Sequence, residues 1–277
     1  MSHSYTKAEL KEYFFSSLEM FNESLDSDIG EDNLLIDFFN LKSGIAVYEE
    51  FCKARFPQYL NEPYTEDGYF EDVAAQAFVG EDCYGVLIRE NVDFTLGEVL
   101  QMFLHEISHL YCTQNEIPGG HFFEKYCMGS GLEDGMINAG YAIWREAIAD
   151  IMADSILSEF PTLTLAMAKD EIRSLNREIT FSNCCAKKAM SLVIAYVMIL
   201  REVSTIDDWP TAKKRIKKVL GFDEPIMYEI LGLVFAKLRT SPFWEITPDF
   251  VTELGRMYLE LLSTRALRGK CRENANM

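Results

Sequence analysis

The sequence predicts an α+β fold that is predominantly α, with a small β-sheet in an N-terminal lobe and a helical C-terminal lobe. Three observations carry that expectation. Two short β-prone runs, Ala75–Val79 and Tyr84–Arg89, flank the turn-forming Gly80-Glu81-Asp82. A broad apolar stripe at helical spacing follows, from Leu96 to Tyr111. From Leu163 to the end, apolar residues keep recurring at the helical period.

Taken in chain order, Thr6 to Tyr59 carries apolar clusters at helical spacing and predicts two helices. One cluster is Tyr13, Phe14, Leu18 and Phe21; the other is Leu34, Leu35, Phe38, Phe39, Ile45, Tyr48 and Phe51. The segment N-E-P-Y-T-E-D-G, from Asn61 to Gly68, is rich in turn formers and leads into the two β-prone runs. Thr95-Leu96-Gly97-Glu98 then reads as a capping box, in which hydroxyl and carboxylate satisfy the free N–H groups of a new helix. Phe94 and Val99 supply the hydrophobic staple, and Pro118-Gly119-Gly120 bars continuation.

Gly129 to Gly135 reads as a glycine-rich connection, followed by a helix from Asn138, its N-cap, to Phe160, with Pro161 as its stop. Further helical segments are expected at Ala168–Ile179, Ala186–Val203, Thr211–Leu220, Pro225–Leu238 and Thr247–Leu267. The length allows one large domain or two lobes sharing a cleft, and the lobes would divide as residues 1–117 and 118–277 of one continuous catalytic unit.

With 277 residues, 48% of them hydrophobic, the chain can bury a sizeable core. A net charge of -18 argues against binding nucleic acid or an anionic membrane, since both need a concentrated positive surface. The one basic run, Lys213 to Lys218, reads as a solvated helix face. No signal peptide is evident, and the longest apolar stretch, Ala189 to Leu200, is too short to span a bilayer, so a cytoplasmic location is expected. The seven cysteines lack C-x-x-C spacing and are expected to be reduced.

The chemistry concentrates in H-E-I-S-H, residues 105–109. Histidines four apart on a helix share one face and can aim two imidazoles at one ion. Glu106 points elsewhere, which suits it to take a proton from a metal-activated water rather than to ligate. A catalytic zinc takes three protein donors and keeps a position for water, so a third donor is required. Asn115 and Cys112 stand where a metzincin would have histidine and glycine, which excludes that pattern. His121, after the Pro118-Gly119-Gly120 turn, and Cys83 remain as alternatives. Glu146 is the strongest candidate: in Trp144-Arg145-Glu146-Ala147-Ile148-Ala149-Asp150 two carboxylates lie four apart on a second helix, one placed to ligate and the other to orient a histidine. Asp154 extends that row by a turn.

H-E-I-S-H followed by E-A-I-A-D resembles the gluzincin group of zinc metallopeptidases, which includes the thermolysin-like enzymes. The resemblance covers these two short segments. It implies a zincin-like active-site helix, one Zn2+ on His105, His109 and Glu146, Glu106 as general base and Asp150 supporting a histidine ligand. It also implies a peptide or protein substrate, which an edge strand at Tyr84–Arg89 would pair with if that run is not interior. The only histidines besides the two of the motif are His3 and His121, so Tyr141, Tyr196, Tyr228 and His121 are the donors available to stabilise an oxyanion. Peptide-bond hydrolysis is the leading expectation, and a zinc-binding regulatory or sensor protein of metallopeptidase fold is the alternative.

Overall fold

A computed structural model describes residues 3–61, 64, 69–91, 93–157, 169, 183–199, 205–221 and 225–275. The expected helix Ala168–Ile179 lies outside the described residues save for Lys169. The architecture is mostly helical with one small mixed sheet, as the sequence predicts. It divides into two compact units: Met1–Asn115 with Met152–Thr162, and Glu116–Ile151 with Leu163–Met277.

The first unit opens with β1 (His3–Ser4) and α1 (Lys7–Leu25), whose start is fixed by a capping box between Thr6 and Glu9. Next come β2 (Leu34–Phe39), α2 (Gly44–Arg55), a 3-10 turn (Pro57–Asn61) and the short α3 (Tyr69–Asp72). The strands β3 (Ala75–Val79), β4 (Tyr84–Arg89) and β5 (Asp93–Phe94) lead into α4 (Leu96–Gln114). β3 and β4 form the expected antiparallel hairpin, while β2 joins the other side of β4 in parallel, giving the order β2-β4-β3. β5 pairs with β1 in a separate two-stranded sheet.

Side chains alternate across this sheet. Leu34, Ala77, Val86 and Ile88 enter a core with α1 and α4, where Phe14 meets Phe103 edge-on at 5.2 Å and Phe21 meets Tyr111 at 5.4 Å. Phe39, Phe78 and Leu87 enter an opposite aromatic core with Tyr48, Phe56 and Phe70. Gly85 is the exception on that face: a Cβ there would lie 2.7 Å from the Phe56 ring, so the strand leaves a gap that the ring occupies.

Leu34–Phe39 is therefore a strand where helical spacing had been read. Its apolar positions fit either period, but the 3-10 turn Glu31–Asn33 and the Asn40–Ser43 turn leave only six residues, and both ends of the run are buried beside its parallel partner. Tyr84–Arg89 is interior, so the sheet edges belong to β2 and β3.

The second unit is helical: α5 (Phe122–Tyr126), α6 (Leu132–Ile156), α7 (Asn183–Ile199), α8 (Trp209–Leu220), α9 (Pro225–Thr240) and α10 (Pro248–Ala275). α6 starts six residues before the expected Asn138 cap, so that Asn138 lies inside the helix; the Asp134 carboxylate accepts the Gly131 N–H at 2.5 Å and secures the earlier start. Gly140 of α6 lies against Val251 and Gly255 of α10 so closely that a Cβ on either glycine would strike the opposite backbone. The buried Trp144 indole donates to the Phe243 carbonyl at 2.8 Å and ties α6 to the segment between α9 and α10. Beyond Met152, α6 counts with the first unit, where Ala153 and Leu157 are buried in the α1/α4 core. No helix among the described residues is long and apolar enough to cross a membrane.

Gly85→Ala is expected to overpack the aromatic face and cost about 1–3 kcal/mol. Urea unfolding should show a lower midpoint at unchanged slope; an unchanged midpoint would mean that Phe56 and Phe51 yield freely.

Candidate metal centre

α4 forms where the sequence places it because both ends and one broad face are determined locally. The Thr95 hydroxyl accepts the Glu98 N–H at 3.3 Å, and the Glu98 carboxylate accepts the Thr95 N–H at 2.7 Å. Val99, Phe103, Leu104, Ile107 and Leu110 are fully buried and fix the helix's rotation on the sheet. That rotation leaves His105 half-buried and takes His109 and Glu106 into the interior, 6% and 8% exposed.

The two imidazoles converge. Their Nε2 atoms lie 3.1 Å apart, with ring planes at 86°. Two imidazole nitrogens come this close by sharing a proton or by directing both lone pairs at one cation. Donors at about 2.0–2.1 Å from a tetrahedral ion stand about 3.3 Å apart, so the pair is already at ligand spacing. Glu146 completes the group: one donor atom from each of His105, His109 and Glu146 lies within 4.8 Å of the other two, and these residues are able to hold a metal ion. No other such group exists among the described residues.

Glu106 follows a different course. Its Oε2 accepts the Ala77 backbone N–H at 2.7 Å, across 29 residues of sequence. The hydrogen-bonded pairing of β3 with β4 explains why that N–H is offered. Arg89 donates to the Ala74 carbonyl and Gly80 to the Cys83 carbonyl, so even-numbered positions face β4 and odd-numbered positions face the open edge. Ala77 was not singled out from the sequence, although the parity of the hairpin about its Gly80 turn marks it as outward-facing.

The remaining candidates are placed as follows. Asp150 sits half-buried one turn after Glu146, and Asp154 is buried on the same helix. His121 is exposed, 3.9 Å from the Glu116 carboxylate, and outside the metal-capable group. Cys83 is also outside it, and burial together with the Asp82 charge pushes its thiol up, away from the thiolate that metals bind. Burial pushes Cys52 and Cys127 up to about 11. Cys112, on α4, has its sulfur 3.8 Å from that of Met152, and Asn115 caps α4 rather than ligating. The Tyr141 ring is stacked on Phe122 at 5.7 Å and flanked by Phe123 and Trp144. Tyr196 and Tyr228 are buried, the latter beneath Lys213.

No protein-family model, curated protein or solved structure matches the chain.

Glu146→Ala is expected to weaken binding of Co2+ or Zn2+ by more than about 100-fold while His121→Ala leaves it unchanged. Cobalt absorption titrations measure both. A loss in His121→Ala with none in Glu146→Ala would move the third donor to His121.

Proposed function

We propose that this chain is a zinc-dependent hydrolase of peptide bonds, with a zincin-like active-site helix of the gluzincin kind. The observation that carries the reading is the convergence of the His105 and His109 Nε2 atoms, 3.1 Å apart, with a Glu146 oxygen in the same group and Glu106 adjacent in sequence. Two imidazoles and a carboxylate are the donor set of a catalytic zinc, and three donors leave a position for a reacting group. When bound, the ion would polarise the scissile carbonyl and bring the pKa of a water to about 7.

The chain's own residues then divide the work. Glu106 takes the proton from the attacking water and returns it to the leaving amine. The Ala77 N–H holds one oxygen of that carboxylate at 2.7 Å. Asp150 holds a ligating histidine in one tautomer. The substrate main chain adds to the open edge of β3, where peptide N–H and C=O groups recognise an extended chain without reading its sequence.

Purified protein loaded with zinc should contain one equivalent by elemental analysis and should cleave unstructured peptides. Glu106→Gln should keep the metal and lose at least about 100-fold in kcat. Full activity in that variant would remove Glu106 as base; no stoichiometric zinc after reconstitution would remove the metal chemistry altogether.

A further inference from the structure

The edge of β3 is not uniformly open. Ala75, Ala77 and Val79 face outward, and each could in principle pair with an added strand. At Val79 both groups are already engaged within the first unit. Its N–H donates to the Tyr59 hydroxyl at 3.2 Å, and its carbonyl accepts the Gln58 side-chain amide at 2.7 Å. Tyr59 is held in place by its ring, which meets the buried Phe78 edge-on at 5.0 Å. Toward the other end, the Ala75 peptide groups and the Ala77 carbonyl make no hydrogen bond among the described residues.

We infer that Gln58 and Tyr59 make this edge one-sided, and that the substrate is a peptide cut close to its amino end. The inference rests on the hydrolase reading and adds the direction of the bound chain. Glu106 is bonded at Ala77, so the scissile bond lies opposite Ala77. Antiparallel addition is the more stable pairing, and a chain running against β3 has its amino-terminal residues toward Val79 and its carboxyl-terminal residues toward Ala75. Residues after the scissile bond therefore find main-chain partners. Residues before it find Val79 taken and the Gln58 and Tyr59 side chains in the path. Extra residues on that side gain no hydrogen bonds and must displace two.

The test is a peptide series of one sequence, with two to six residues before the scissile bond or the same number added after it. Cleavage by the zinc-loaded protein is followed by mass spectrometry. Lengthening the amino-terminal side from two residues to four is expected to lower kcat/KM about tenfold, the effect of one or two hydrogen bonds. Lengthening the other side should not lower it. The double variant Gln58→Ala, Tyr59→Phe keeps the Tyr59 ring and removes both caps, and should reduce the penalty to less than about threefold.

Equal cleavage along the series, the opposite dependence, or an unchanged penalty in the double variant would overturn the inference and leave the hydrolase reading standing. The same peptides are titrated by calorimetry into Glu106→Gln protein, whose glutamine still accepts the Ala77 N–H. The expected order of affinities without cleavage by the native protein would support the one-sided edge and overturn the hydrolase. Neither binding nor cleavage would overturn both.

Discussion

The register of β3 on β4 is the constraint on which both cores of the first unit and the Ala77–Glu106 hydrogen bond depend. A carboxylate only 8% exposed, on a helix whose opposite face is apolar core, needs a donor held rigidly in place. An edge strand supplies one, but only if its parity is right. The tight turn at Gly80 sets that parity by pairing Gly80 with Cys83, and a one-residue slip would turn the Ala77 N–H inward to β4 and leave Glu106 without it. The two faces of the sheet enforce the same register, since a slip would also carry Phe78 out of the aromatic core and Ala77 out of the α1/α4 core.

That dependence explains which parts were legible in the sequence. The capping box at Thr95, the hairpin of β3 and β4, and the spacing of His105 and His109 are local features, each written within a few residues, and each stands in the structure. The inclusion of Glu146 in the metal-capable group was also legible, because i, i+4 carboxylates on an alanine-rich helix leave a clear pattern. What escaped is non-local. Leu34–Phe39 becomes a strand because β4 has an unpaired side 50 residues later, which no property of the six residues announces. The early start of α6 depends on one carboxylate turning back to Gly131. The donor for Glu106 and the caps on Val79 come from elements 20 to 29 residues distant.

α6 shows how a glycine placement can serve geometry remote from it. Gly140 lets the helix meet α10 backbone to backbone, and Trp144 is bonded to the Phe243 carbonyl in the segment that precedes α10. Two residues later on the same rod comes Glu146, and further along Ala153 and Leu157 are buried with α1 and α4. The rotamer of a ligand is held by the packing of its carrier helix together with the hydrogen bonds that the ligand makes.

In the proposed hydrolase Glu106 is asked for two properties that differ chemically. As an acceptor for Ala77 it needs one oxygen with a lone pair, which glutamine offers equally well. As a base it needs a charge that can take up a proton, which glutamine lacks. A protein that used H-E-I-S-H only to hold a metal and to fasten the helix to the sheet would be served by either residue, and would avoid the desolvation cost of a buried carboxylate by using the amide. A carboxylate at an interior position is what the proposed chemistry would require, and beside the convergent imidazoles it is the feature that separates the proposed hydrolase from a metal-binding regulator.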